Sequence, residues 1–232
     1  MCIKFTDKYN EGKTILIDKS LDWTSFDVVK KLKFLIKCKK IGHAGTLDPL
    51  ATGLLIICTG KNTKKINDIQ NLSKTYTGNF TIGSTTPSHD LETEISASKP
   101  IENISKKMIE DVADTFLGVQ LQKPPKFSAV KVEGERAYKL ARENKKFILK
   151  EKEIEITKFK ISEIKSSVIS FEIKCSKGTY IRSIARDFGN RLGCGAYLSK
   201  LRRTKIGDFD VNNAYKIDDM VNIIKIEKSE SN

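Results

Sequence analysis

The sequence predicts an α+β fold, a mixed, largely antiparallel sheet with flanking helices. Three observations lead there. Helical and strand patterns intermix without the regular alternation that marks a parallel α/β sheet. Two β-rich runs, EIEITKFKISEI and VISFEIKCSKG, follow one another with no helix between them. The chain of 232 residues is also long enough to bury a substantial core without disulfides or metal.

Taken in order, Thr14–Asp18 (TILID) reads as a buried strand. The capping signal Thr24-x-x-Asp27 opens a helix whose apolar stripe is Val28, Val29, Leu32, Leu35 and Ile36. GHAGTLDPLATG, rich in Gly, Pro and Thr, must be loop, and it runs into the buried-strand pattern LLIICTG. Tyr76, Gly78, Phe80 and Ile82 alternate with polar residues as a half-exposed strand does. Residues 85–99 are polar and read as irregular. Ser105 to Phe116 is a helix with Met108, Ile109, Val112 and Phe116 on one face, stopped by Gly118. KPPKFSAVKVEG suggests a turn and hairpin before the short helix ERAYKLARE. After the two β-rich runs, Ile181, Ile184, Ala185, Phe188 and Leu192 recur at helical spacing. A last amphipathic helix carries Ile217, Met220, Val221 and Ile224. No repeat or linker interrupts the chain, so one compact domain, residues 1–226, is expected, with 227–232 as a polar tail.

Composition narrows the function. A net charge of +13 favours an anionic partner, nucleic acid first and a membrane surface second. The abundance of Lys, Asn and Ile, as AT-rich coding produces, discounts part of that excess. The cysteines Cys2, Cys38, Cys58, Cys175 and Cys194 form no C-x-x-C pair, and an odd count without a signal peptide reads as reduced thiols in the cytoplasm. His43 and His89 are the only histidines, so no metal site is expected. No apolar run approaches the roughly 20 residues of a spanning helix, and no membrane association is expected.

The densest chemical candidate is Gly42-His43-Ala44-Gly45-Thr46-Leu47-Asp48-Pro49-Leu50-Ala51-Thr52-Gly53. Its glycines permit close approach to a ligand, and Pro49 biases Asp48 toward an extended backbone. Local chemistry leaves two readings of Asp48 open, a turn cap or a positioned carboxylate. A phosphate-binding Walker loop is rejected, because Gly60-Lys61 is followed by Asn62 and the required earlier glycine is Leu55.

This loop resembles the signature of TruB-type pseudouridine synthases. Further matches follow in order: Lys19 with Trp23-Thr24-Ser25, Lys74-Thr75-Tyr76, Pro124-Pro125-Lys126-Phe127-Ser128-Ala129-Val130-Lys131, Gly134, Ala137-Tyr138, Ala141-Arg142, the run from Cys175 to Arg182, and Leu201-Arg202-Arg203. They span about residues 13–205. The Pro-Leu-Ala-Thr-Gly continuation looks more like the stand-alone bacterial form than the RNA-guided relatives.

The resemblance implies isomerisation of the T-loop uridine of tRNA conventionally numbered 55, flipped out of its stack. It implies no cofactor, since no group is lost, and a monomer that needs no guide RNA. Asp48 would be the nucleophile. Arg182, in the first turn of its helix, would keep that carboxylate ionised; the alternative for Arg182 is a phosphate contact. Tyr76 would stack on the extruded uracil and transfer a proton, where alternation alone would make it sheet packing. His43 would fill the place of the displaced base. Lys19, Tyr180 and Leu201 match positions near the target nucleotide, and Asp90 lies in a segment resembling the T-arm-contacting loop. Arg202 and Arg203, within the basic run of Arg186, Arg191, Lys200 and Lys205, would suit phosphates, with solvated surface charge as the alternative.

The chain departs from the family pattern at Ser20 and Asp22, which stand for proline and glycine, and at Asn144, near a usual glycine. Only 27 residues follow Lys205, too few for the C-terminal PUA domain many members carry, so that domain is expected to be absent. Rival readings are a non-catalytic RNA-binding protein on this scaffold, a membrane-surface protein, and an RNA-guided synthase.

Overall fold

The computed structural model describes residues 5–231. Cys2 lies outside them. The fold is α+β with a mixed, mostly antiparallel sheet. The described residues divide into two compact units, one of 5–76 with 201–231 and one of 77–200.

In the first unit, helix α1 (Phe5–Glu11) precedes strand β1 (Thr14–Lys19) and helix α2 (Ser25–Ile36). The capping box at α2 forms as the sequence suggests. Thr24 Oγ1 accepts from Asp27 N at 3.0 Å, and Asp27 Oδ2 accepts from Thr24 N at 2.9 Å. Strand β2 (Ile41–His43) and strand β3 (Ala51–Thr59) follow, then helix α3 (Ile66–Asn71) and the start of strand β4 (Lys74–Ile82). β3 is central: β1 and β2 pair with it antiparallel, and the strand Ala196–Ile206 pairs parallel through Leu201, Arg202 and Arg203. Its apolar run is continuous because both faces are covered. Leu55 and Ile57 join α2 and the terminal helix on one side, and Leu54, Ile56 and Cys58 meet Ile69, Ile206 and Val211 on the other. The chain's single tryptophan, Trp23, packs partly buried against the first of these clusters.

The terminal helix runs from Ile217 to Ser229 and buries Ile217, Met220, Val221 and Ile224. It extends past the boundary set for a polar tail. Glu227 accepts from Tyr9 Oη at 2.7 Å and pairs with Lys8, which fastens this helix to α1.

In the second unit, the strand Lys152–Lys165 lies antiparallel to Val168–Cys175 on one side and to Gly118–Gln122 on the other. The helix Ile181–Arg191 covers an aromatic core in which Phe80, Phe171, Phe159 and Phe188 meet at ring-centroid distances between 4.2 and 6.3 Å. Arg191, expected at phosphates, instead caps the Phe116 ring at 3.8 Å and donates to Thr115. The helix Lys106–Asp114 buries Ile109 and Ala113, whereas Met108 is exposed. Ser105 caps its N-terminus by accepting from Met108 N, which turns Met108 outward.

Residues 85–99, read as irregular, are held by a polar network. Thr86 and Ser88 hydroxyls donate to the Asp90 carbonyl, and a two-residue ladder joins Ser84–Thr85 to Ala97–Ser98. The family departures also find a reason. Asp22 (φ 63°) and Asn144 (φ 52°) both sit in the left-handed region, which after glycine Asp and Asn tolerate best.

Candidate active site

The loop that carries Asp48 links β2 to β3 and is gripped from below. Register places Lys19, Gly53 and Arg203 in one row across three adjacent strands, so the two cationic side chains leave the same face of the sheet. Glycine is required between them, because Gly53 adopts φ 103° and a Cβ there would lie 2.3 Å from the Arg203 carbonyl oxygen. Both cations are 1% exposed. Lys19 Nζ donates to the carbonyls of Trp23 (2.6 Å), Ser20 (2.9 Å) and Pro49 (3.3 Å). Arg203 donates from Nε to Leu54 O (2.8 Å), from one terminal nitrogen to Thr46 O (3.2 Å) and from the other to Gly45 O (3.1 Å).

Ser25, the first residue of α2, completes the grip. Its buried hydroxyl accepts from Leu47 N at 2.9 Å and faces Leu47 O at 3.1 Å. Asp22 N donates to Pro49 O, and Ala51 N to Asp48 O, both at 3.0 Å. The half-buried Asp48 is thus a positioned carboxylate on a loop fixed at Gly45, Thr46, Leu47 and Pro49. Burial pushes the Lys19 pKa down to about 8, with the Asp48 carboxylate opposing that shift and Arg203 adding to it. Two buried positive charges therefore accompany Asp48 in its own unit.

Lys19 and Arg203, expected near RNA, are sealed beneath the loop, and their donors brace its backbone carbonyls. Arg202 faces partly outward, but its fork is engaged by Asp18, Nη1 to Oδ1 at 2.9 Å and Nη2 to Oδ2 at 2.7 Å. Leu201 is buried. His43 ends β2 half-buried; its Nδ1 is enclosed, with no hydrogen-bond partner among the described residues. Burial lowers its pKa, with the Gly45 backbone and Arg203 as smaller, opposed influences. Tyr76 is buried at the third position of β4.

In the second unit, the buried Arg182 donates from Nη1 to Phe127 O at 2.9 Å, and the same nitrogen lies 3.4 Å from Asp90 Oδ2. Asp90 Oδ1 accepts from Glu92 N at 2.9 Å. The Asp90 carboxylate is thus buried against the arginine. His89 precedes it with φ 62°. Burial, then the charges of Arg186 and Arg182, push its imidazole down to about 4, so it is neutral at pH 7. Tyr180 stands at the N-terminus of the helix that holds Arg182, and both of its backbone polar groups bond the side chain of Gln122. Gln122 did not stand out in the sequence, and Ser25 did so only within the string Trp23-Thr24-Ser25; a buried polar residue within a strand or helix face leaves no local signal. Among the described residues, no cluster of His, Cys, Asp or Glu could hold a metal ion, and no helix is long and apolar enough to cross a membrane.

Comparison with known proteins identifies the family. Residues 33–181 match the family described as TruB family pseudouridylate synthase (N terminal domain), and residues 182–232 match the tRNA pseudouridylate synthase B C-terminal domain. The junction between the two matches falls inside the helix Ile181–Arg191, not at a boundary between the compact units. A protein of Flavobacterium johnsoniae named tRNA pseudouridine synthase B is 52% identical over 91% of this chain and 95% of its own length. Its namesake in Parabacteroides distasonis is 46% identical over 94% and 97%. A chain from a crystal structure of a Cbf5-Nop10-Gar1 complex superposes with a TM-score of 0.76 at 26% identity, covering 98% of this chain and 59% of that one.

Proposed function

Since the chain belongs to the TruB family of pseudouridylate synthases, we propose that it isomerises the T-loop uridine of tRNA numbered 55, in place, with Asp48 as the catalytic carboxylate. The observation that carries this reading is the grip on the Asp48 loop by Lys19, Arg203 and Ser25. Those contacts fix a carboxylate whose position must match a sugar carbon to within a fraction of an ångström.

The reaction breaks the bond from ribose C1′ to N1 of uracil, turns the base, and forms a bond from C1′ to C5. C5 loses its proton and N1 gains one, so the sum of atoms is unchanged. No redox partner, metal or water enters the balance. Asp48 would act as the nucleophile or as the stabilising anion during the transfer. Arg182 would hold that charge, Tyr76 would stack on the uracil and move the C5 proton, and His43 would occupy the space left by the flipped base.

The two relatives named tRNA pseudouridine synthase B support tRNA as substrate, each over nearly its full length. A tRNA substrate puts the enzyme in the cytoplasm. One chain holds every assigned group, which favours a monomer that works without guide RNA. Purified protein incubated with unmodified tRNA, with pseudouridine mapped at single-nucleotide resolution, tests the reading. A single modified T-loop uridine is the expected outcome. Product only when guide RNA and partner proteins are added would sink it.

A further inference from the structure

The strand Gly118–Gln122 is arranged against the usual hydrophobic logic. Val119 and Leu121 are 65% and 66% exposed, while Gln122 is 5% exposed. Gln122 is the strand's one buried residue. A slip of one residue against the neighbouring strand would turn the two apolar side chains inward and release the amide. The observed register, with Gln122 opposite Lys152, does the reverse. Burying an amide is costly unless each of its groups is bonded.

The Gln122 amide meets that condition on one residue. Its Oε1 accepts from Tyr180 N at 2.8 Å, and its Nε2 donates to Tyr180 O at 3.1 Å. Tyr180 is the N-cap of the helix Ile181–Arg191 and supplies no capping side chain of its own. Two neighbours of Gln122 extend the seam. The Lys123 carbonyl accepts from Ser183 Oγ at 2.8 Å, and the Phe127 carbonyl accepts from Arg182 at 2.9 Å. The first turn of the helix is therefore held from outside, at Tyr180 by the Gln122 side chain and at Arg182 and Ser183 by the Phe127 and Lys123 carbonyls that follow it.

We infer that Gln122 is a positioning residue for the isomerisation: its amide sets the Tyr180 peptide and, through it, the direction in which Arg182 leaves the helix. The inference rests on the reaction proposed above for the role of Arg182. Gln122 itself touches no reacting atom.

Two variants test this. Gln122→Ala removes both bonds and should lower the single-turnover rate on tRNA by roughly tenfold to a hundredfold, with tRNA affinity held within a few-fold because binding draws on many phosphate contacts. Gln122→Glu gives the decisive readout. As a neutral acid it offers an acceptor and an O–H donor where the amide has them; ionised, it offers acceptors only. Its rate should recover as pH falls from neutrality toward about 5, relative to the parent over the same range. A parent-like rate for Gln122→Ala, or a Gln122→Glu profile that tracks the parent, would overturn the inference. If Gln122→Ala fails to fold, the Gln122→Glu profile decides alone, at pH values where circular dichroism shows it folded. Asp48→Asn is run alongside. Turnover by that variant would count against the proposed reaction, whereas the Gln122 variants are judged only against the parent rate.

Discussion

Arg182 and Asp90 form an ion pair closed off from solvent, Nη1 to Oδ2 at 3.4 Å, with the Phe127 carbonyl as a further acceptor for the same nitrogen. Removing one member of the pair takes a charge-assisted contact from the other. Asp90→Ala is expected to destabilise the protein by about 1.5–3 kcal/mol in chemical denaturation. Asp90→Asn, which keeps an acceptor for Glu92 N, should cost less. A double-mutant cycle with Arg182→Ala that shows no coupling would mean the pair is incidental to stability.

Asp48→Asn is expected to abolish pseudouridine formation while tRNA affinity stays within a few-fold. Asparagine keeps the shape and the braced loop, but it is a poor nucleophile. Single-turnover assays with mapped product check this, and substantial product would remove Asp48 from its assigned role.

Lys19 predicts a dependence of stability on pH. Burial holds its folded pKa near about 8, against about 10.4 for an unfolded lysine. Below the folded value both states are protonated, and the full cost of burying the ammonium is present. Between the two values the unfolded chain binds more protons, so stability rises with pH. Relative to Lys19→Met, the parent should gain up to roughly 3 kcal/mol across that window. Urea denaturation from about pH 7.5 to 10.5 measures the difference; a flat difference would show that the ammonium is not penalised by burial.

Arg202 and Arg203, adjacent in sequence, should behave differently when changed. Arg203→Ala strips Gly45, Thr46 and Leu54 of donors beneath the Asp48 loop. Each lost charged hydrogen bond is worth about 1.5–3 kcal/mol, so thermal stability and turnover should both fall. The salt dependence of tRNA binding should keep its slope, since no phosphate contact is lost. Arg202→Ala should cost less stability, because its pair with Asp18 is partly open to solvent. A shallower salt slope for Arg203→Ala would place its guanidinium on RNA after all.

Deleting residues 227–232 is expected to lower the melting temperature measurably. Sequence pattern alone made that segment a tail, but Glu227 binds Tyr9 and Lys8. Glu227→Ala should reproduce most of the loss, at about 1–2 kcal/mol for the two bonds together. Equal melting curves would show that the contact contributes nothing.

What could be read in the sequence was what local periodicity encodes. Thr24 and Asp27 announce a helix start because the capping box is made within four residues. The run from Leu54 to Cys58 announces a strand covered on both faces. The Asp48 loop was legible through its family resemblance, and so were Lys19, Ser25 and Arg203 as matching positions, but their grip on the loop was not. It emerges only when strand register sets Lys19 and Arg203 flanking Gly53. The strand Ala196–Ile206 was missed for the same reason: Arg203 occupies an inward position where an apolar residue would have completed the alternation. Asp90 and Gln122 are held in buried positions by long-range contacts, an ion pair to Arg182, 92 residues away, and hydrogen bonds to Tyr180, 58 residues away.

Trp23 has a practical consequence. It is the chain's one tryptophan, its ring rests against the core of the first unit, and its carbonyl accepts the Lys19 ammonium at 2.6 Å. The same ammonium reaches Pro49, next to Asp48. The sole indole thus sits one residue contact from the loop proposed to do the chemistry. Its emission wavelength and quenching by iodide or acrylamide should register any rearrangement of that loop when RNA arrives, in the unlabelled enzyme, with no competing indole to subtract.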